Sequence, residues 1–282
     1  MIRPAFSSVA FPDWTLDRVA RAATEFGFLG IELRSFGHGS TVLASDPALS
    51  SPANVRRALD DAGIDLACLA TGARFDQPIF PPVAGYLLPS QHAPVEEAKH
   101  LIDVAHDIGA PTMRIYAWDV PKGQSRRSTI KLVSDRIGKV CDYARGRDLT
   151  ILIENGGAFS SFTDLREIIH RVGSPLLGVA YDLQAGFDSG DDPAEAVREL
   201  GRSLRLVRLR DRNGGAPCAL GKGEVPVRPA LKALADAGSD AWAVFTWDRL
   251  WLPDLDPAES VLGDAAKLLF ACAGGASPTA AA

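Results

Sequence analysis

The stretch ILIENGGAFSSFTDLREIIHRVGSPLLGVAYD, residues 151–182, decides the fold of this 282-residue chain. Two short apolar runs, ILIEN and LLGVAYD, flank a segment at 162–172 with helical periodicity. Apolar runs of this kind are typical of parallel strands that are covered on both faces. Each run ends with a carboxylate, Glu154 in the first and Asp182 in the second. A charge at the carboxyl end of a buried strand has no packing role, so both residues indicate a site.

The alternation of strand and helix extends along the whole chain. We predict strands at 2–8, 29–34, 65–71, 112–118, 151–155, 176–182, 204–211 and 241–247. We predict helices at 15–27, 53–63, 94–109, 127–146, 162–172, 193–201, 227–237 and 257–271. Eight such pairs in about 250 residues predict an α/β protein with a (β/α)8 TIM barrel. The competing open doubly wound sheet is disfavoured because no GxGxxG follows the first strand. We expect one domain over 1–271 and a disordered tail at 272–282.

The bulk composition restricts the class of protein. A net charge of -5 argues against a nucleic-acid partner, which usually requires a basic face. Four cysteines lie far apart without a CxxC pair, which favours a reducing compartment. The N-terminus lacks a signal-peptide pattern, and no apolar run approaches the ~18 residues of a membrane span. We therefore expect a cytoplasmic protein with no membrane partner.

Several charged residues share the faces of the predicted strands that point into the barrel. Side chains two apart on a strand lie on the same face. The predicted barrel mouth therefore holds Glu32, Arg34, Arg114, Glu154, Asp182, Arg208 and Arg210, with Tyr116 and Thr246 on the same faces. Such a cluster predicts a polar ligand. The alternatives without a functional role are that Arg34, Arg210 and Asp211 are solvated loop ends, and that Glu32 only pairs with a neighbouring arginine.

Loop residues extend the predicted binding set. His38 lies in the glycine-flanked loop GHGS after the second strand, and Gln184 follows Asp182 by two residues. Lys222 lies in LGKGEV after the seventh strand, a region where barrels often hold phosphate. Trp247, in FTWDRLW, can stack on a sugar ring or else cover the barrel end, as can Trp251.

The chain resembles the xylose isomerase-like TIM barrels over residues 1 to about 270. The resemblance is carried by FPDWTLDRVARAATEFGFLGIELR, EEAKHLIDVAHDIGAPTMRIY, LTILIENGG, GVAYD, RLVRLRD, LGKGEVPVRPALKAL and FTWDRLWLPDL. That superfamily contains sugar and sugar-phosphate isomerases and epimerases, inosose dehydratases and endonuclease IV. The resemblance implies a sugar, sugar-phosphate or polyol isomerase, epimerase or dehydratase that abstracts a proton next to a carbonyl. It also implies a carbohydrate or anionic small-molecule substrate, and it leaves a homo-oligomer open.

The resemblance further implies one divalent cation, Mn, Mg or Zn. In the family it is held by a Glu, an Asp, a His and a Glu on strands five to eight. The first two positions match Glu154 and Asp182, whereas the His position is Arg208 and the final Glu is Thr246. A further family His, three residues after the Asp, corresponds to Ala185. Only half of the metal ligands are therefore present.

Arg208 conflicts with a bound cation. Arginine has no lone pair to donate. A guanidinium ~4 Å from a dication, at an effective dielectric of about 20, is repelled by about 8 kcal/mol. Glu154, Asp182 and Arg208 sum to -1, the same charge as the family's three carboxylates, neutral His and dication. Our hypothesis is that the planar guanidinium of Arg208 takes the place of the cation and bridges the two carboxylates.

The predicted chemistry follows from these three candidate catalytic residues, Glu154, Asp182 and Arg208. Two-base epimerisation needs an acid on the eighth strand, which Thr246 cannot supply. One-base enediol chemistry through Glu154 remains open, with Arg208 or Arg114 stabilising the oxyanion. Isomerisation or dehydration of a keto-sugar or polyol fits this scheme.

Two other classes of function were weighed. The first is a non-catalytic barrel that binds a sugar acid or phosphate through its arginines. The second is DNA repair of the endonuclease IV type, which needs a His-rich zinc cluster. His100, His106 and His170 lie on predicted helices and are expected at the surface, so this class is disfavoured.

Overall fold

The computed structural model describes residues 1–37, 39–78 and 92–273. The barrel strands are β1 (Arg3–Ser7), β2 (Gly30–Arg34), β3 (Asp65–Arg74), β4 (Thr112–Tyr116), β5 (Thr150–Glu154), β6 (Leu177–Asp182), β7 (Leu204–Leu209) and β10 (Trp242–Phe245). They form a closed parallel barrel in the order β1-β10-β7-β6-β5-β4-β3-β2. The two short strands β8 (Arg212–Asn213) and β9 (Ala216–Pro217) pair antiparallel in the loop after β7.

The helices are α1 (Leu16–Phe26), α2 (Pro52–Ala62), α3 (Ala93–Asp107), α4 (Arg126–Ala144), α5 (Phe162–Val172), α6 (Leu183–Asp188), α7 (Pro193–Leu200), α8 (Val227–Asp236) and α9 (Glu259–Ala273). Helix α9 packs against both α8 and α1, at the position where the barrel closes. The predicted (β/α)8 TIM barrel is confirmed. In the described part of the chain, no helix is long and apolar enough to cross a membrane.

The last helix differs from its predicted bounds. Asp256-Pro257 resembles a helix start, but α9 begins at Glu259, two residues later. The backbone carbonyl of Asp256 instead accepts a hydrogen bond from the indole of Trp247. The helix continues to Ala273, and residues 274–282 of the predicted tail lie outside the described residues.

The short helix α6 was not predicted, and it begins directly after β6. Asp182 is its N-cap, since Oδ1 accepts a hydrogen bond from the backbone N–H of Ala185 at 3.0 Å. The same carboxylate therefore ends a strand and starts a helix, which places it at the rim of the barrel.

Alternate residues of each strand contribute to two separate cores. On β5, Ile151 and Ile153 pack outward against the helices, whereas Leu152 points into the barrel. The inner core consists of Ala5, Ala67, Cys68, Leu152, Ala180, Leu206, Trp242 and Val244. The largest of these side chains is Trp242, whose ring occupies the amino-terminal end of the barrel. Gly30 is required beside it, because a Cβ there would lie 2.6 Å from the indole.

Candidate functional site

A cavity of about 450 Å³ opens at the carboxyl ends of the barrel strands. Its wall consists of Arg34, Arg114, Tyr116, Trp118, Glu154, Asn155, Gly156, Gly157, Asp182, Ala185, Arg208, Arg210, Asp248, Trp251 and Leu252. This is the end at which (β/α)8 proteins place their active sites. Other grooves of comparable volume lie outside the barrel mouth or, in one case, adjoin it through Gly157 and Arg210, and their charged side chains are exposed or half-buried. The barrel mouth is therefore the candidate site.

The side chain of Asn155 fixes the positions of Glu154 and Asp182 at the rim of the barrel. They end β5 and β6 and are 3% and 1% exposed. The side chain of Asn155 donates from Nδ2 to the carbonyl oxygen of Asp182 at 3.0 Å. Its Oδ1 accepts from the backbone N–H of Asp182 at 2.6 Å. Asn155 thus joins the two strand ends beyond the last backbone pair of the sheet.

Arg208 lies between the two carboxylates. It is opposite Asp182 in the register of β6 and β7 and is 6% exposed. Its Nη1 donates to Glu154 Oε1 at 2.8 Å and to Asp182 Oδ2 at 3.1 Å. The bridging contact of our hypothesis is thus present, although one nitrogen makes it rather than two edges of the guanidinium fork.

The ion pairs continue from Glu154 toward β2. Arg114 Nη1 forms a close ion pair with Glu154 Oε2. Arg114 Nε lies 3.4 Å from Oε2 of Glu32, which is fully buried. Glu32 does not line the cavity and is linked to it through Arg114. This is consistent with the alternative that Glu32 only pairs with a neighbouring arginine.

The ion pairs also continue from Asp182 toward β10. Arg210 donates from Nη2 to Asp182 Oδ2 at 2.6 Å and from Nη1 to Asp248 Oδ2 at 2.9 Å. The resulting series, called the charge chain below, is Glu32–Arg114–Glu154–Arg208–Asp182–Arg210–Asp248. Its four carboxylates and three guanidinium groups alternate and sum to -1. Ionised partners of opposite sign offset the cost of burying these charges.

The charge chain controls the protonation of Asp182 and Arg208. Burial opposes the charge of Asp182, but Arg210 and then Arg208 outweigh it and hold the pKa of Asp182 below its usual range. Burial also opposes the charge on Arg208, yet Glu154 and then Asp182 raise its pKa well above the ordinary value. Both groups are therefore ionised at neutral pH.

Tyr116 adds a neutral donor to the site. Burial is the main cause that raises the pKa of Tyr116, so its hydroxyl remains protonated. The hydroxyl donates to Glu154 Oε1 at 3.3 Å and accepts a close hydrogen bond from Arg114. Tyr116 is thus positioned to exchange a proton with Glu154.

The structure brings together seven of the predicted site residues. The cavity wall contains Arg34, Arg114, Tyr116, Glu154, Asp182, Arg208 and Arg210. Thr246 is 2% exposed and lies outside the wall, and Gln184 is half-buried on α6, also outside it. Lys222 is exposed and does not line the cavity. His38 lies outside the described residues.

The loop after β10 contributes a different tryptophan from the one in the predicted set. Trp247 is 5% exposed, its ring is stacked at 6.4 Å from that of Phe245, and it does not line the cavity. Trp251 lines the cavity and is 50% exposed. The chain turns after β10, so the alternation of the strand does not extend to these residues.

The interpretation of Asp211 as a solvated loop end is wrong. Asp211 is 3% exposed, and its carboxylate accepts from the backbone N–H groups of Gly221 at 2.9 Å, Gly223 at 2.9 Å and Val225 at 3.1 Å. It therefore orders the loop that carries Lys222. The same alternative fails for Arg34, which is buried, and for Arg210, which is half-buried in the charge chain.

Three wall residues were missed by sequence reasoning, namely Asn155, Asp248 and Trp118. Trp118 has a φ of 71°, in the left-handed region, and its carbonyl accepts from the N–H of Ala158 at 2.7 Å. A Cβ at Gly156 would lie 2.7 Å from the Trp118 ring. The glycine pair after ILIEN was the available signal, because it indicates a close approach to the backbone.

The donor set does not fit the divalent cation that the resemblance implies. The guanidinium of Arg208 contacts both carboxylates and offers no lone pair to a metal. In residues 1–37, 39–78 and 92–273, no group of three or more His, Cys, Asp or Glu side chains is arranged to hold a metal ion. His100 and His106 on α3 and His170 on α5 are exposed and outside the cavity wall, as expected.

The closed parallel barrel with a polar site at its carboxyl ends defines this protein as a TIM barrel. Residues 20–272 match the family described as xylose isomerase-like TIM barrel, and the chain belongs to that family.

Solved structures of similar fold include enzymes that act on sugars. L-ribulose 3-epimerase is 16% identical with a TM-score of 0.78, covering 97% of this chain and 95% of that one. D-psicose 3-epimerase is 15% identical with a TM-score of 0.77, covering 97% and 100%. The probable 3-DHS dehydratase AsbF from Bacillus anthracis is 15% identical with a TM-score of 0.75, covering 95% and 98%. At such identities the likeness shows the fold alone. No curated protein matches this chain in sequence.

Proposed function

We propose that this protein acts on a small carbohydrate or polyol by moving a proton next to a carbonyl group, with the guanidinium of Arg208 in the place of a divalent cation. The contact of Arg208 Nη1 with both Glu154 and Asp182 carries this proposal. The likeness to sugar epimerases and a dehydratase supports the substrate class.

Glu154 is the base in this scheme. In the structure, Oε1 is engaged by Arg208 and Tyr116, and Oε2 by Arg114. A substrate whose carbonyl oxygen accepts from Arg208 takes over one of these contacts and frees a lone pair of Glu154. The carboxylate then removes the proton from the carbon next to the carbonyl, and the electron pair passes to the carbonyl oxygen. Fixed guanidinium groups stabilise the resulting enediolate, a contribution of about 10²–10³ in rate for one such donor.

The proton then returns at a position that decides the product. Tyr116, as a neutral hydroxyl next to Glu154, is suited to relay this proton to a substrate oxygen. Return of the proton held by Glu154 to the adjacent carbon, while a hydroxyl proton passes between the two enediol oxygens, gives isomerisation. Delivery of that proton to a neighbouring hydroxyl, which leaves as water, gives dehydration. Return on the opposite face requires a second acid, which the neutral Thr246 cannot be. Isomerisation or dehydration is therefore the proposed reaction class.

Exchange of a substrate C–H proton with solvent deuterium tests the proposed function. The protein is incubated in D₂O with a panel of ketoses, their phosphates and keto sugar acids, and exchange is followed by NMR. We expect exchange next to the carbonyl of one panel member, and its loss in Glu154→Gln. Glu199→Gln is the matched control, since Glu199 forms an exposed ion pair with Arg166 outside the site. Exchange that survives in Glu154→Gln contradicts the role of this base.

Metal analysis tests the role of Arg208 separately. We expect substoichiometric Mn, Mg and Zn in the purified protein, and exchange that is insensitive to EDTA. A stoichiometric divalent metal bound between Glu154 and Asp182 refutes the replacement of the cation by a guanidinium.

A second candidate is a non-catalytic barrel that binds a sugar acid or phosphate. It is favoured by the ion pairing of Glu154 and Asp182, since each carboxylate contacts two guanidinium groups. A binder of this kind shows a ligand-dependent rise in melting temperature without any exchange of C–H protons.

A further inference from the structure

Arg34 differs from every other arginine of the cavity wall. It ends β2, is 9% exposed and lines the cavity. Its Nη1 donates to the carbonyl oxygen of Thr71 at 2.7 Å, and its guanidinium lies 4.7 Å from the centre of the Phe36 ring. These contacts hold the side chain in place without neutralising it.

Among the described residues, no carboxylate forms an ion pair with Arg34. Arg114, Arg208 and Arg210 each form ion pairs with two carboxylates of the charge chain. Within the described ranges, Arg34 forms no ion pair, and its Nε is buried without a hydrogen-bond partner. Burial and then repulsion by Arg114 lower the pKa of Arg34 from its ordinary value. A buried cation of this kind is satisfied by an anion that comes with the ligand.

The backbone leaves Arg34 accessible to such a group. Gly72 of β3 lies beside it, and a Cβ at that position would be 3.3 Å from Arg34 Nη2. Gly72 is itself exposed, and it brings no side chain to the space next to Nη2.

The position of Arg34 in the barrel sets the size of the ligand. In the closed strand order, β2 and β6 are four strands apart in an eight-strand barrel and are therefore opposite each other. A ligand whose reacting carbons lie at Glu154 and Arg208 extends across the mouth to reach Arg34. Trp118 and Trp251, 42% and 50% exposed, line the same cavity and can cover such a ligand.

We propose that Arg34 binds a carboxylate of the ligand, so that the site takes a sugar acid rather than a neutral sugar. Together with Arg34, the charge chain sums to 0, and a site without net positive charge disfavours a phosphate dianion more than a monoanion. A carboxylate also matches the fork of a single arginine. This inference rests on the site of the proposed function but not on its chemistry.

Melting temperatures of the intact protein test the proposal. The probes are pentonates and hexonates, including their keto acids, each paired with its alditol and with the corresponding sugar phosphate. We expect a sugar acid to raise the melting temperature more than its alditol or phosphate does. The shift is lost in Arg34→Met and reduced in Arg34→Lys, which keeps the charge but not the fork. Arg145→Met is the matched control and retains the shift, because Arg145 is paired with Asp142 at 2.8 Å on the surface and does not line the cavity.

Three outcomes overturn the proposal. They are an equal shift with acids and alditols, a shift that survives in both Arg34 variants, and a larger shift with phosphates that Arg34→Met abolishes. If sugar acids bind through Arg34 but no proton exchange occurs, the proposed reaction fails and this inference stands. If exchange occurs on neutral ketoses and no sugar acid binds, the inference fails and the proposed reaction stands.

Discussion

The two ends of the barrel interior are built from the same strands and have opposite chemistry. At the amino-terminal end, Trp242 lies among apolar residues, and the guanidinium of Arg3 covers its ring at 3.7 Å. At the carboxyl end, the seven residues of the charge chain are joined by ion pairs. One end contributes apolar burial, and the other contributes a site.

The change from apolar to charged side chains occurs between two consecutive inward-facing residues of a strand. On β5 the inward residue before Glu154 is Leu152, and on β6 the residue before Asp182 is Ala180. Strands β5 and β6 therefore serve the core and the site at the same time. Substitutions at the amino-terminal end should therefore lower stability without changing ligand chemistry. Substitutions at the carboxyl end should change ligand chemistry, and they also lower stability because the charges there are buried.

The largest expected loss of stability is at the apolar end. Trp242→Ala removes the side chain that fills this end, where Gly30 leaves room for it. We expect the free energy of unfolding to fall by about 3–5 kcal/mol, because the surroundings cannot collapse into the cavity. Chemical denaturation measures this, with Trp251→Ala as the control because Trp251 is half-exposed. Equal losses for the two variants contradict the assignment of Trp242 to the core.

A somewhat smaller loss is expected at the charged end. Glu154→Gln removes a buried charge that contacts Arg114 and Arg208. We expect a loss of about 3 kcal/mol, at the low end for breaking a buried ion pair, since the amide oxygen still accepts hydrogen bonds. The exposed pair of Glu199 and Arg166 supplies the control, where Glu199→Gln should cost under about 1 kcal/mol. Similar costs for both substitutions mean that the charge chain is solvated.

The smallest predicted effect is a pH dependence that belongs to the charged end alone. The folded-state pKa of Asp182 is lowered, so its ion pairs stabilise the protein above the ordinary value of about 3.9. This contribution is lost as the pH falls through the lowered folded-state pKa, by about 1.4 kcal/mol per unit of lowering. The stability difference between wild type and Asp182→Asn should therefore narrow from pH ~5 downward. The difference for Trp242→Ala should stay nearly constant, and parallel curves for the two variants contradict the assignment.

The fold and the centre of the site could be predicted from the sequence for the same physical reason. Apolar runs mark strands covered on both faces, and a charge at the end of such a run stands out because burial is costly without a partner. This argument located Glu154 and Asp182, and the alternation of strand faces added Arg208, Arg114 and Arg34.

The remaining features of the site depend on how far long side chains extend and on loop conformation. Neither property produces a periodic pattern in the sequence. Arg114 extends from β4 to both Glu32 and Glu154, so Glu32 is buried outside the cavity wall although its backbone was placed correctly. The turn after β10 places Trp251 in the wall and Trp247 outside it. Neither result follows from the identity of the residues alone.

The two hydrogen bonds between the side chain of Asn155 and the backbone of Asp182 affect how such a site can diversify. They place Asp182 through an uncharged amide that titrates nowhere in the accessible pH range. Geometry and charge at the barrel mouth are therefore set by different residues. Replacement of Asn155 by another uncharged residue would change the distance between Glu154 and Asp182 without changing the net charge of the site. This one position therefore offers a route to altered selectivity that conserves every ionised group.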